Sequence, residues 1–265
     1  MSPRRRRRGL LPGSLILVLL GFLAAITGPA PVLAQKAARG IEVDAELLLM
    51  VDVSGSVDQE EAQLQRAGYV DAIRDAVVVR AIQAGPLGRI AVAYVEWADQ
   101  NFQQTVLDWI IIDSQASANE AARRLAAAPL TTQFWTAIGA AITKGVAMIE
   151  SNAYQGTRRI IDISGDGYSN RGATPDQARD AAAKLGITIN GLPIMGRQRP
   201  GGAQPPADLD QYYARHVIGG PGAFVQPAQD FHSFDQAILT KLVDEIADLR
   251  RDPDAAAPAG RFAGR

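Results

Sequence analysis

The sequence predicts an α/β fold: a doubly wound, mostly parallel sheet of six strands, with one antiparallel edge strand and helices on both faces. Three observations predict it. From Ile41 onward, short apolar runs alternate with segments of helical periodicity, the signature of βαβ units. The runs around Leu47–Val51 and Ile90–Val95 are apolar on both faces, as strands covered by helices on either side must be. A chain of 265 residues with 47% hydrophobic composition also supplies a sizeable core without staples, and it has no Cys to make them.

The first strand is expected over Glu46–Val51. Asp58 to Ala84 then reads as one helix, with Val70, Ile73 and Val77 at helical spacing and Gly85-Pro86 closing it. Arg89–Trp97 reads as a central strand, and Thr105–Ile112 as the strand that pairs back antiparallel at an edge. Ser117-x-x-Glu120 has the form of a capping box for an alanine-rich helix that Pro129 stops. After the polar and aromatic loop from Thr131 to Thr136, Ile138, Ile142, Val146 and Ile149 mark the buried stripe of another helix. Arg159–Ser164 is the next strand. Thr174, Pro175 and Gln177 supply an N-cap, a first-turn proline and a capping-box partner for a helix that ends before Gly186. Ile187–Met195 is a strand, Gly196–Pro206 a structureless loop, Asp208–Val217 a short helix, Ala223–Gln226 a sixth strand and Ser233–Leu249 a closing helix.

These elements place one domain at residues 43–250, followed by an Ala/Pro/Gly/Arg-rich tail at 251–265 that reads as disordered. Ahead of it, Arg4 to Arg8, an apolar stretch from Leu10 and a small residue at Ala34 form the pattern of a cleaved signal peptide at 1–34. That makes the protein secreted or periplasmic, and consecutive arginines also permit twin-arginine export. An uncleaved N-terminal membrane anchor is the alternative, and only then does the protein meet a membrane. Without the five arginines of the leader, 22 of the 27 basic residues remain against 28 acidic ones, a mature chain near −6. Nucleic acid is therefore a poor partner, since phosphate binding needs a basic surface.

The chemistry gathers where strands end. Leu47–Val51 runs into Asp52-Val53-Ser54-Gly55-Ser56, Thr136 opens a helix, and Arg159–Ser164 runs into Gly165-Asp166-Gly167. Parallel strands present their carboxyl ends on one edge, so three distant segments can meet there. Two carboxylates and three hydroxyls, with no His or Cys, suit Mg²⁺, Mn²⁺ or Ca²⁺ rather than structural zinc or copper. The bland readings are a turn at Ser54-Gly55 and a capping box at Ser56-x-x-Gln59.

Asp52-Val53-Ser54-Gly55-Ser56 resembles the Asp-x-Ser-x-Ser motif of von Willebrand factor type A domains, Thr136-Ala137-Ile138-Gly139 their second-loop threonine, and Gly165-Asp166-Gly167 their third-loop Asp-Gly. The order of elements matches from about residue 43 to 250. The organisation resembles that of secreted bacterial proteins of unsettled function more than that of animal adhesion proteins. The resemblance implies that Asp52, Ser54, Ser56, Thr136 and Asp166 form a metal-ion-dependent adhesion site (MIDAS) holding one Mg²⁺-like ion, completed by an acidic side chain of a partner protein. Two departures stand out: Gly165 replaces a threonine, and Phe134-Trp135 replaces small residues.

Other functions have less support. No Gly-x-Ser-x-Gly elbow or phosphate loop occurs, and His216 and His232 are the only histidines, so no catalytic triad is expected. A metal-assisted hydrolase would need Glu96 as its base, although Glu96 also reads as a solvated loop charge. A metal-free interaction scaffold of the same fold is the third reading. Asp162, inside an apolar strand, reads as a buried acid with a hydrogen-bonding partner.

Overall fold

The computed structural model describes residues 40–196 and 205–247. The expected leader, the tail and most of the Gly196–Pro206 loop lie outside the described residues. Five strands form the sheet: β1 (Ile41–Asp52), β2 (Ile90–Trp97), β3 (Gln103–Ile112), β4 (Tyr154–Gly165) and β5 (Ile187–Pro193), in the spatial order β3-β2-β1-β4-β5. All pairings are parallel except β2 with β3.

β1 is central because its side chains are apolar on both faces. Leu47, Leu49 and Val51 point into one core layer, formed with α1 (Gln59–Arg74), α2 (Ala76–Gln83), α3 (Gln115–Ala127) and α7 (Phe234–Ala247). Leu48 and Met50 point into the other, formed with α4 (Ile138–Ser151), α5 (Pro175–Lys184), the short α6 (Leu209–Tyr212) and a π-helical turn at Tyr213–Val217. The buried stripe of α4 is the one its periodicity predicts: Ile138, Ile142 and Ile149 are buried and Val146 packs at the margin.

Four expectations need correction. The expected helix from Asp58 to Ala84 is two, because Asp75 leaves helical geometry, accepts from the Val77 amide at 2.6 Å and so caps a second helix. The capping box of α3 is Ser114 with Ser117, three residues earlier than Ser117-x-x-Glu120; Glu120 instead pairs with Arg123 and Arg124. Thr174 caps α5 only by position, with Pro175 in the first turn and no side-chain hydrogen bond. The expected sixth strand, Ala223–Gln226, is reduced to isolated bridges beside β5, Gly191 to Val225 and Ile194 to Ala228. Pro193 and Pro227 each lack the N–H a continuous ladder requires.

The strand order fixes where a site can lie. The chain leaves β1 for β2 on one side, and β4 lies on the other, so order reverses between β1 and β4. Val51 pairs with Ser164 in that register, which brings the loops after both strands side by side. No helix among the described residues is long and apolar enough to cross a membrane.

Candidate metal centre

The loop after β1 is held by its own groups. The Ser54 amide donates to Asp52 Oδ1 at 2.7 Å, the Val57 amide to the Ser54 carbonyl at 2.9 Å, and Gln65 Nε2 from α1 to the Asp52 carbonyl at 3.2 Å. The helix cap is Asp58 with Glu61, so Ser56 is not the cap that Ser56-x-x-Gln59 suggests. Its hydroxyl turns the other way: Ser54 Oγ lies 3.0 Å from Ser56 Oγ, and Ser56 Oγ donates to Asp166 Oδ1 at 2.5 Å. Asp52, Ser54, Ser56 and Asp166, from strand ends far apart in sequence, thus form one cluster. Asp52, Ser54 and Asp166 in it are buried.

Thr136 comes from the third segment. Its amide donates to Asn170 Oδ1 at 2.9 Å and its carbonyl accepts from the Asn170 amide at 2.8 Å, which ties the second loop to the third. Asn170 thus holds the second and third loops together. A β-carbon built on Gly167 would stand 4.0 Å from Thr136 Oγ1, so that hydroxyl faces the third loop. Thr136 is buried beside the cluster.

Burial, then the charge of Asp166, push the Asp52 carboxyl up to about 8, against pull from Ser54 and the Asp166 amide. Asp52 Oδ2 is buried without a hydrogen-bond partner. Two neighbouring carboxyls and three nearby hydroxyls are a donor set that fits a hard divalent cation. Among the described residues no group of three or more His, Cys, Asp or Glu has metal-holding geometry, so a cation here depends on the hydroxyls. When bound, such a cation supplies a Lewis-acid centre for an anionic oxygen.

Glu96 is not the solvated charge expected of it. It is 1% exposed and paired with Arg66 of α1, which also donates to the Leu125 carbonyl at 2.9 Å. The α1 guanidinium thus holds the carboxylate that the hydrolase reading names as its base. His216 pairs with Asp176 and lies outside the cluster.

At the rim the second loop turns outward. Phe134 is 78% exposed and Trp135 49%, and Trp135 adopts φ 68°, the left-handed region a bulky residue rarely occupies. The Arg171 guanidinium stacks over the indole, 4.5 Å from its centroid. Phe134 Cδ1 would lie 3.3 Å from a β-carbon on Gly55, so the ring covers the glycine of the first motif.

One residue near the cluster escapes motif reading. The ring of Tyr213, at the start of the π-helical turn, reaches the back of Gly165, and its hydroxyl is buried without a partner. Isolated glycines within β4 and β5, Gly165 and Gly191, were the available signal, since a strand glycine marks close approach by another group.

Comparison with solved structures supports the fold. The pilus adhesin SpaC from Lactobacillus rhamnosus GG, in its open conformation, superposes with a TM-score of 0.55 at 14% identity, over 78% of this chain and 30% of that one. Proximal thread matrix protein 1 from the mussel byssus gives 0.53 at 17% identity, over 78% and 47%. The same mussel protein with a zinc-occupied MIDAS motif gives 0.51 at 18%, over 78% and 46%. The chain thus spans less than half the length of each of these proteins. No curated protein sequence matches it. The architecture is von Willebrand factor type A-like, and the family described as "Protein of unknown function (DUF1194)" matches residues 42–250, so the chain belongs to that family.

Proposed function

We propose that this chain is a secreted or periplasmic binding module that captures a protein partner through a divalent cation. In this reading Asp52, Ser54, Ser56, Thr136 and Asp166 hold the ion, and an Asp or Glu side chain of the partner completes its coordination. The observation that carries the reading is the 2.5 Å contact between Ser56 and Asp166, which joins the loops after β1 and β4 at the point where strand order reverses. All-oxygen ligation favours Mg²⁺, with Mn²⁺ and Ca²⁺ behind it. The zinc-occupied motif of the mussel protein and the adhesin role of SpaC support a cation-dependent interaction. Phe134 and Trp135 stand exposed at the same rim, where aromatic residues anchor interfaces. The partner therefore offers an acidic side chain next to an apolar one.

Residues 1–34 act as the export signal in this proposal and 43–250 as the module. The test is a pull-down from the source organism's envelope fraction with the mature chain, in Mg²⁺ and in chelator. A partner retained only with Mg²⁺ by wild type, and not by Asp52→Ala, is the expected result. Equal retention in chelator, or by the variant, overturns the proposal.

A further inference from the structure

Gly165 occupies the position where the resembled motif has a threonine, and the space a side chain would fill is already taken. A β-carbon on Gly165 would stand 2.8 Å from Asp52 Oδ2 and 2.8 Å from the Tyr213 hydroxyl. The two oxygens are therefore no more than twice that distance apart. Both are buried, and neither has a hydrogen-bond partner.

The approach is built from several parts. Gly165 and Gly191 share the α4/α5 face of the sheet, since Gly191 pairs with Ile163, two residues before Gly165. A β-carbon on Gly191 would come within 2.7 Å of Tyr213 Cδ1 and 3.0 Å of Ile218. The two glycines thus make a slot across β4 and β5, and the phenol lies in it. The residue enters from the π-helical turn Tyr213–Val217, a local distortion of the kind found at functional sites. A buried phenol that keeps its proton is a donor, and a carboxylate oxygen is its natural acceptor.

We infer that Tyr213 is a positioning residue for the metal centre: its hydroxyl donates to Asp52 Oδ2 when the cation is bound, and Gly165 is glycine to admit it. The inference rests on the metal-site reading above. The phenol does not touch the cation. It fixes the Asp52 carboxylate so that its other oxygen is presented to the ion, as outer hydrogen-bond partners do for metal ligands generally.

The test uses the mature chain and metal alone. Calorimetric titration with Mg²⁺ and with Mn²⁺ is compared for wild type, Tyr213→Phe and Asp52→Ala, with chelator-treated thermal melts as a control for folding. The expected result is an affinity 10-fold or more weaker in Tyr213→Phe, with a metal-free melting temperature equal to or above wild type, since the variant removes an unpaired buried hydroxyl. A second readout needs no variant: in wild type carrying tyrosine labelled at Cζ, Mg²⁺ brings out a slowly exchanging, downfield hydroxyl proton coupled to one label. Equal affinities in wild type and Tyr213→Phe, with Asp52→Ala inert, overturn the role of the phenol and leave the metal site standing. Absence of that proton in the loaded protein overturns it as well. No binding by wild type overturns both readings.

Discussion

The Asp52 carboxyl is fully buried and faces Asp166, and these two influences push it up to about 8. Near neutral pH it therefore holds a proton, whereas ligation needs the carboxylate. If the site holds Mg²⁺ as proposed, protons and cation compete, so Mg²⁺ affinity is expected to rise as pH goes from about 6 to about 8, with close to one proton released per ion. Titrations in buffers of different ionisation heat measure that release, and a pH-independent affinity contradicts it. Phe134, 78% exposed, poses the opposite case. Phe134→Ala should change unfolding free energy by no more than about 0.5 kcal/mol. In the proposed cation-dependent complex it should nonetheless weaken partner retention, and full retention removes the rim from that interface. At this scale the gathering of Asp52, Ser54, Ser56 and Asp166 was legible, because the loops after parallel strands share one edge of the sheet. Tyr213 was not, since nothing local distinguishes a tyrosine in a helical stretch that fills a core from one that reaches a carboxylate.

Asp162 of β4 and Lys241 of α7 pair at 2.7 Å with both side chains buried. Lys241 also binds Glu245, which accepts from Asn190 Nδ2 of β5 at 2.6 Å. The closing helix is thus fastened to two strands by one ammonium and two carboxyls. Lys241→Met would strand both acids in the core, and a loss of about 3–5 kcal/mol is expected in urea unfolding. Burial pushes the Asp162 carboxyl up to about 7 from 3.8, with the Glu245 charge adding to it and Lys241 opposing. Tyr69 of α1 faces the same group. A folded-state pKa raised in this way means the native protein binds the extra proton. This contribution to stability is present below about pH 4 and declines as pH rises towards about 7. Asp162→Asn should flatten that slope in melts taken at pH 5 and 7.5. The sequence marked Asp162 as a buried acid with a partner but could not name Lys241, because helical periodicity gives the buried face of α7 and not its register against the sheet. The misplaced boundaries share a cause: Asp75 and Ser114 lie within a few residues of competing polar groups, and tertiary packing decides which becomes the cap.

Fold class was readable throughout, because two-faced apolar strands separated by helices leave few alternatives. The strand count was not, since Ala223–Gln226 has strand composition but sits between prolines. If the site binds as proposed, a cation at a hundredfold excess over its Kd stabilises the native state by ~2.7 kcal/mol. For a domain of this size that raises Tm by roughly 5–10 °C. Melts with Mg²⁺ and with chelator should differ by that amount in wild type and coincide in Asp52→Ala. The interrupted sixth strand has a consequence for assembly. Gly219, Phe224, Gln226 and Ala228 take up hydrogen bonds along the outer side of β5. The segment that does so carries Pro221 and Pro227, so it offers no continuous ladder to another chain. At the far edge β3 carries register irregularities opposite Val92 and Tyr94 and an exposed acid, Asp108. The sheet is thereby guarded at both margins against growing by strand addition.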